Sequence, residues 1–432
     1  MNCSFSYKLA AMTVGALLVS LQPAFAQGLH GSSKADAKKV PAVTSATRVI
    51  QIPATVTSMT SSATRMVSYR DQNHSWQTSD GAVHLVINLG SSPSGNGLAL
   101  YSSFDNGVTW TQMFTLPNTD GASTDDGVLT NTATGATLQL MYGTSPNIGS
   151  IMYATATYVS ATHSWTLNGT QTAYAAKGIV ASNPAFASDS AGNLWCGFTA
   201  ETSATLEYQE DMIYLATGAQ QWVNTGLIFG QADNTTQHGG RPVAYAGGVG
   251  MVYQDEITLY WAYRLNSDAF NAPWVTTTMY VGLPPASADP YDTHFSVVSD
   301  SEDNLYLAFI SAPADLIFTI FSSSANAWGA MQVLETSTNS PGYPQVSIAG
   351  GNLLLMANYE TSVEVMQSTN FGQSFTETQL LTHTPAASGS GISYNKPRVE
   401  TPRYATSPVP VWQQFVDGTT DQLMFFQVPV IN

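Results

Sequence analysis

The sequence predicts an all-β fold built from about seven copies of one repeated unit, and three observations support this prediction. Short apolar or alternating segments recur along the chain, and Gly or Pro interrupts most windows of about ten residues. Amphipathic helical periodicity is nearly absent. Finally, several segments share one frame, in which a short strand, a polar turn and an apolar strand follow one another.

The repeated frame is clearest in NPAFASDSAGNLWCGF, which begins at Asn183, and in HFSVVSDSEDNLYLAF, which begins at His294. Seven segments follow it, and they start at His74, Asp125, Asn183, Arg241, His294, Tyr343 and Lys396. The starts are spaced by about 50 residues, which is the length of a four-stranded propeller blade with its loops. We therefore predict a seven-bladed β-propeller, with a six-bladed propeller as the alternative.

A hairpin after the first repeat carries a recognisable motif. Ser103–Trp110 reads SFDNGVTW, in which Asp105 can accept backbone N–H bonds, Gly107 can adopt positive φ and Trp110 can cover the turn. This segment resembles the Asp box (BNR repeat) of sialidase-like propellers, and STNFGQSF from Ser368 is a degenerate copy. In the families that it resembles, the box is a structural turn remote from the active site.

The N-terminus predicts export from the cell. Lys8 precedes the apolar run Leu9–Leu21, and Ala24-Phe25-Ala26 has the small-residue pattern of a cleavage site. We predict a signal peptide over residues 1–26, a disordered leader over 27–47 and one propeller domain over 48–432, in a secreted or periplasmic protein. Within that domain, Arg48–Thr57 is expected to pair with Leu423–Val428 and close the ring.

Composition limits the partners. The formal charge is −16, from 13 Lys plus Arg and 29 Asp plus Glu, so nucleic acid is not expected as a partner. Any anionic ligand needs a local basic pocket. Membrane insertion is not expected either, because no apolar stretch after the signal reaches about 20 residues. We predict a monomer whose partner is an extracellular glycan.

The starts of the repeats predict the position of a site. In a propeller the innermost strand of each blade begins beside the central channel, so the seven polar starts should line one mouth of that channel. Residues near the ends of the second strands, namely Glu201, Asp255 and Glu360, should border the same mouth, as should Arg398. Replacement of His294 or Arg241 by alanine is expected to abolish ligand effects and to leave melting unchanged.

Three functions remain open for this mouth. The resemblance to sialidases implies three arginines on a substrate carboxylate, a Tyr–Glu nucleophile pair and an Asp acid. Arg241 and Arg398 could supply two of the arginines, with Arg65 or Arg264 as the third. The Arg-Ile-Pro motif of those enzymes is missing and they have six blades, so a generic two-carboxylate hydrolase that uses Glu201, Asp255 or Glu360 is also considered.

The second function is a polysaccharide lyase that acts on uronates. Arg241 or Lys396 would neutralise the uronate carboxylate, and His74, His294 and Tyr343 would transfer protons. The predicted catalytic residues are thus His74, His294, Tyr343 and Arg241. The predicted substrate-binding residues are Lys396, Arg398, Asp125, Asn183, Glu201, Asp255 and Glu360.

The third function is non-catalytic binding of a glycan or a protein, because a fold does not fix a function. No nucleophile elbow, phosphate loop, zinc spacing or dinucleotide motif occurs in the sequence. No metal or other cofactor is predicted. The acidic run from Asp300 to Asp303 lies on the turn of its repeat and is interpreted as a solvated turn.

Overall fold

Antiparallel pairing of neighbouring strands accounts for most of the fold in the computed structural model. The model describes residues 50–431 apart from 54, 64, 68, 70, 91–96, 203–206, 234–238, 246, 256–257, 282–294, 312–314, 337–341, 359–361, 383–391, 394–398 and 418–419. The predicted signal peptide and leader lie outside the described residues. Contacts divide the chain into two units, Met1–Asp36 and Ala37–Asn432, and every described residue belongs to the second.

The strands are numbered along the chain: β1 (Ile50–Pro53), β2 (Thr55–Ser61), β3 (Ser75–Gln77), β4 (Val83–Asn88), β5 (Leu98–Ser103), β6 (Thr111–Thr115), β7 (Asp125–Thr132), β8 (Gly135–Gly143), β9 (Ile151–Val159), β10 (Ser164–Tyr174), β11 (Ile179–Ser188), β12 (Leu194–Thr202), β13 (Tyr208–Leu215), β14 (Val223–Asp233), β15 (Gly239–Tyr245), β16 (Gly248–Asp255), β17 (Thr258–Leu265), β18 (Val275–Val281), β19 (Phe295–Ser299), β20 (Leu305–Ile310), β21 (Leu316–Ser322), β22 (Ala327–Trp328), β23 (Gln332–Glu335), β24 (Gly342–Ala349), β25 (Asn352–Asn358), β26 (Ser362–Ser368), β27 (Thr376–Thr382), β28 (Ile392–Ser393), β29 (Val399–Glu400), β30 (Tyr404–Ala405), β31 (Val409–Asp417) and β32 (Thr420–Val428). A single 3₁₀ turn among the described residues, Ser160–Thr162, joins β9 to β10.

The described strands form seven sheets, and each sheet contains one of the predicted repeats. Sheets I to IV are β3–β6, β7–β10, β11–β14 and β15–β18, and sheet V is β19–β23. Sheet VI contains β24–β27 flanked by β1 and β30, and sheet VII contains β28, β29, β31, β32 and β2. The all-β prediction is confirmed.

Apolar packing joins the sheets into a closed ring. Each of seven buried clusters draws its side chains from two consecutive sheets; for example, Trp76 and Leu138 pack between sheets I and II. The other clusters lie between II and III, III and IV, IV and V, V and VI, and VI and VII. The last one, with Trp412 and Leu85, lies between sheet VII and sheet I. Packing that returns to its starting sheet is the arrangement of a β-propeller.

Strands β2 and β32 pair within sheet VII and close the ring, which agrees with part of the predicted pairing. Thr55 and Val56 of β2 pair with Phe425 and Met424 of the C-terminal strand. The prediction was wrong for Ile50–Pro53, which pairs in parallel with β27 instead. The reason is that β31 and β2 already occupy both edges of β32, so β1 takes the remaining edge of β27.

The motif hairpin has the predicted geometry. Asp105 accepts hydrogen bonds from the Thr109 backbone N–H at 2.9 Å and from its hydroxyl at 2.6 Å. Gly107 has φ of +83°, and the indole of Trp110 donates to the Gly107 carbonyl at 3.1 Å. The degenerate copy repeats this turn, with Gly372 at φ of +80°. Both turns are local structures, and they fix the loops between β5 and β6 and between β26 and β27.

The acidic turn of sheet V is likewise structural. Asp300 accepts hydrogen bonds from the backbone N–H groups of Glu302 and Asn304, at 2.8 and 2.9 Å. It also accepts one from the hydroxyl of Tyr306 at 2.7 Å, and Asp189 in sheet III uses its oxygens in the same way. The repeated Asp therefore closes the turn between the first and second strands. The described part of the chain holds no helix of the length and hydrophobicity that a membrane crossing needs.

Candidate functional site

The starts of the innermost strands converge on a buried polar cluster at the centre of the ring. His74, Asp125 and Arg241 are 0, 2 and 3% exposed, so these strand starts lie inside the protein rather than on an open mouth. Asn183 is partly buried and has φ of +51°, at a register shift in β11. The convergence of seven sheets encloses residues that a single repeat would leave in solvent.

His74 lies between oxygen acceptors. Its Nδ1 is 3.2 Å from a carboxylate oxygen of Asp125, and its Nε2 is 3.1 Å from the carbonyl oxygen of Tyr69. Burial by itself lowers the pKa of the imidazole, but the charges of Asp125 and Glu400 and these contacts outweigh burial and raise the pKa of His74 to about 9. The ring is therefore an imidazolium at neutral pH and donates from both nitrogens.

Arg241 forms a buried ion pair with a carboxylate that the sequence analysis did not select. Its Nη1 is 2.9 Å from Oδ1 of Asp126. The same oxygen accepts the backbone N–H of Asn73 at 2.6 Å, and Oδ2 accepts that of Phe186 at 2.7 Å. Asp126 thus ties sheets I, III and IV together through one carboxylate.

The segment Asp71–Asn73 lies within this cluster. The carbonyl oxygen of Asp71 accepts hydrogen bonds from Arg241 Nη1 and from Arg403 Nη2, each at 2.6 Å. The side-chain amide of Gln72 donates to the Pro184 carbonyl at 2.7 Å. Because sheets III and IV and the segment after β29 all bind this segment, we place Asp71–Asn73 across the channel at this level and call these three residues the channel plug.

Three buried carboxyl groups lie in or beside the channel plug: Asp71 belongs to it, and Glu400 and Glu210 lie near it. Glu400 accepts hydrogen bonds from the Ser75 hydroxyl at 2.9 Å and the His74 backbone N–H at 3.2 Å, and burial raises its pKa. Burial also raises the pKa of Asp71, to about 7, against the opposing charge of Arg241. Burial, together with the nearby charge of Asp71, raises the pKa of Glu210 well above its usual range.

A cavity of about 230 Å³ lies in the channel on one side of the plug. Asn73, Arg241 and Arg403 line its inner end, and the innermost strands line its walls. Its outer end is formed by strand-end residues, of which Asn131 and Tyr404 are exposed. The cavity therefore opens on the face where the innermost strands end, which is opposite to the predicted mouth.

Arg403 is the cavity residue with the most unused hydrogen-bonding capacity. Among the described residues, the only hydrogen bond of its side chain is the one from Nη2 to the Asp71 carbonyl. The guanidinium is buried although the residue is partly exposed, and burial together with the charge of Arg241 lowers its pKa to about 9. The Nε of Arg241 is also buried, and no described residue accepts a hydrogen bond from it.

The predicted site residues fall into three groups. His74, Asp125 and Arg241 meet in the central cluster, and of these Arg241 lines the cavity. Glu201 and Asp255 lie, partly exposed, at the ends of second strands, as their positions predicted. His294, Glu360, Lys396 and Arg398 lie outside the described residues, as does the side chain of Tyr343, whose backbone begins β24.

Sequence reasoning missed five residues of the cluster: Asp71, Asp126, Glu210, Glu400 and Arg403. Two of them carry a signal in the repeat frame, because Asp126 follows the start Asp125 and Glu400 lies four positions after Lys396. Asp71 precedes the first repeat, so no comparison between repeats could select it. Among the described residues, no group of three or more His, Cys, Asp or Glu side chains could hold a metal ion.

No protein-family model matches the chain, and no curated protein sequence matches it. Among solved structures, it is similar to a Trypanosoma rangeli sialidase in complex with the inhibitor DANA, at 10% identity and a TM-score of 0.46, over 71% of this chain and 54% of that one. The chain thus spans about half the length of that sialidase. Polysaccharide lyase Uly1 also matches, at 10% identity and a TM-score of 0.46, over 83% of this chain and 90% of that one.

The fungal fucose-recognising lectin of Aleuria aurantia, a six-bladed propeller, matches at 12% identity and a TM-score of 0.37, over 61% of this chain and 78% of that one. Each of these similarities is weak. We therefore derive the function from the geometry of the site.

Proposed function

We propose that this protein binds an acidic glycan and takes a terminal, carboxylate-bearing sugar into the central cavity. The observation that carries the proposal is the guanidinium of Arg403, which lines the cavity and donates one hydrogen bond within the described part of the chain. A planar guanidinium with free N–H groups is the protein group best suited to bind a carboxylate.

Charge balance supports an anionic ligand. Burial and the neighbouring charge of Arg241 disfavour the cationic form of Arg403 and lower its pKa. Asp126, whose charge favours the cationic form of Arg403, is already engaged with Arg241 and two backbone N–H groups. A ligand carboxylate would pair with the N–H groups of Arg403 that Asp71 leaves unused and would favour its cationic form, and it would do so locally on a chain whose formal charge is −16.

The shape of the cavity supports recognition of a chain end. The channel plug closes the inner end through the bonds of Arg241 and Arg403 to Asp71. A volume of about 230 Å³ lies below the roughly 300–1,000 Å³ of pockets that hold drug-sized ligands. A cavity of this size that opens at one end suits one sugar unit better than the interior of a polymer.

An aromatic ring stands at the opening. Tyr404 is 56% exposed, and its hydroxyl donates to the Ser299 carbonyl at 2.9 Å, which fixes the ring at the rim. Flat aromatic rings with a satisfied polar tip suit stacking on the apolar face of a sugar. The extracellular origin of the glycan rests on the predicted signal peptide.

Binding of galacturonate and glucuronate oligosaccharides, compared with their neutral hexose counterparts, tests the proposal. Titration calorimetry should show binding of the acidic sugars, and Arg403→Gln should weaken it about 10- to 100-fold, as expected for a charge-assisted hydrogen bond of about 1.5–3 kcal/mol. Lys177→Gln removes the same charge from an exposed position and should bind as the wild type does. Equal affinity for acidic and neutral sugars would refute the proposal.

Cleavage of the glycan is a second candidate function, for which the buried carboxyl groups of Asp71 and Glu210 lie behind the residues that line the inner end of the cavity. A carboxyl group whose pKa is about 7 can act as a general acid or base near neutral pH. For β-elimination we propose the predicted roles of His74, His294, Tyr343 and Arg241. Release of reducing ends with the ultraviolet absorbance of unsaturated uronates would identify elimination, and release without it would identify hydrolysis. Neither signal on any uronate polymer would leave binding as the function.

A further inference from the structure

Two side-chain amides at the outer end of the cavity are held in one orientation. Gln77 and Asn131 both line the cavity. Oε1 of Gln77 accepts hydrogen bonds from the backbone N–H of Thr406 at 2.7 Å and from its hydroxyl at 3.1 Å. Oδ1 of Asn131 accepts the backbone N–H of Ser79 at 3.0 Å.

These bonds determine which end of each amide is free. An amide oxygen and nitrogen are distinguished by their partners, and here both oxygens face donors. The NH₂ groups of Gln77 and Asn131 therefore point away from those donors, and neither has an acceptor among the described residues. Because both side chains line the cavity, these two NH₂ groups are available to a ligand at the rim, and the guanidinium of Arg403 lies at the inner end.

The other polar groups at the rim are engaged with each other. The Ser299 hydroxyl lies 3.0 Å from the hydroxyl of Tyr404, which also donates to the Ser299 carbonyl. The Ser188 hydroxyl faces the carbonyl of Asp189 at 3.4 Å. The side chains that a ligand would meet first are therefore amide donors rather than acceptors.

We propose that Gln77 and Asn131 determine specificity by donating hydrogen bonds to oxygens of the ligand. In these contacts the ligand oxygen is the acceptor. This inference rests on the proposed function, since it concerns the outer end of the same sugar. A donor cannot distinguish a hydroxyl oxygen from an ether or ester oxygen, but it is left without a partner when the oxygen is absent. The cavity should therefore accept an acidic sugar whose rim-facing hydroxyl is O-methylated and reject the corresponding deoxy sugar.

Methyl galacturonoside with its mono-deoxy and mono-O-methyl derivatives tests this inference by calorimetry. The deoxy derivative that lacks the rim-facing hydroxyl should bind about tenfold more weakly than the parent sugar. The derivative that is O-methylated at the same position should bind within about threefold of the parent sugar. Asn131→Ala or Gln77→Ala should abolish this discrimination while the fold, followed by circular dichroism, is kept. A purely structural role would lower affinity for all derivatives alike.

Acidic isosteres give a second readout. Asn131→Asp and Gln77→Glu keep the oxygen that accepts from Ser79 or Thr406 but replace the free donor by a carboxylate oxygen, so uronate affinity should fall more than tenfold. Gln112→Glu makes the same change on the exposed outer strand β6 and should have no effect. If no derivative binds the wild-type protein, the proposed function fails. If uronates bind and the variants keep the wild-type discrimination, this inference alone fails.

Discussion

Replacing Arg241 by methionine should destabilise the protein strongly, because the change leaves a buried carboxylate without its cation. Arg241 is 3% exposed, its Nη1 is 2.9 Å from Asp126, and it also holds the carbonyl of Asp71. Removing one partner of a buried ion pair typically costs about 3–5 kcal/mol. The sequence-based expectation that Arg241→Ala leaves melting unchanged assumed an exposed side chain, and the structure leads to the opposite expectation.

A double-mutant cycle tests this magnitude. Unfolding by urea, followed by tryptophan fluorescence, should give a free energy of unfolding about 3–5 kcal/mol lower for Arg241→Met than for the wild type. Adding Asp126→Asn should recover at least about 1 kcal/mol, because the unpaired charge is removed while the hydrogen bond from Asn73 can be kept. A loss below about 1 kcal/mol in the single variant, or purely additive effects in the double variant, would refute the buried pair.

Gly107→Ala should lower the free energy of unfolding by about 2–5 kcal/mol, because φ is +83° and a Cβ would overlap the ring of Phe425. Gly81→Ala has a similar φ of +86° in open space, so urea unfolding should show a loss of only about 1–2 kcal/mol, and equal losses would contradict the steric argument. Burial lowers the pKa of His84 to about 3, so the contribution of neutral His84 to stability is present above pH 6.5 and is lost as pH falls. In His84→Gln the free energy of unfolding should therefore depend less steeply on pH between about pH 6 and 4. The charges of Asp125 and Glu400 outweigh burial and raise the pKa of His74 to about 9, so its contribution is complete below pH 6.5 and is lost as pH rises through 9; His74→Gln should flatten the alkaline side, and an unchanged profile there would contradict the imidazolium.

Local patterns predicted the repeats and their turns because those features depend on neighbouring residues. Where a turn carries an Asp, that residue closes its own loop, as Asp300 does, and Gly107 adopts positive φ within a single hairpin. The pairing of Ile50–Pro53 with β27 could not be predicted in this way. It depends on which strand edges remain free after the ring has closed, and that is a property of the whole sheet order.

The sequence by itself determined an all-β repeat fold, because alternation, turn residues and a period of about 50 residues are encoded locally. It also placed His74, Asp125 and Arg241 at equivalent strand starts. Only the tertiary structure decided that these starts are buried, because the polar environment arises where several sheets converge. It also brought Asp71 and Arg403, 332 positions apart, into contact. That contact lies at the inner end of the cavity, whose outer end is formed by residues at the ends of the innermost strands.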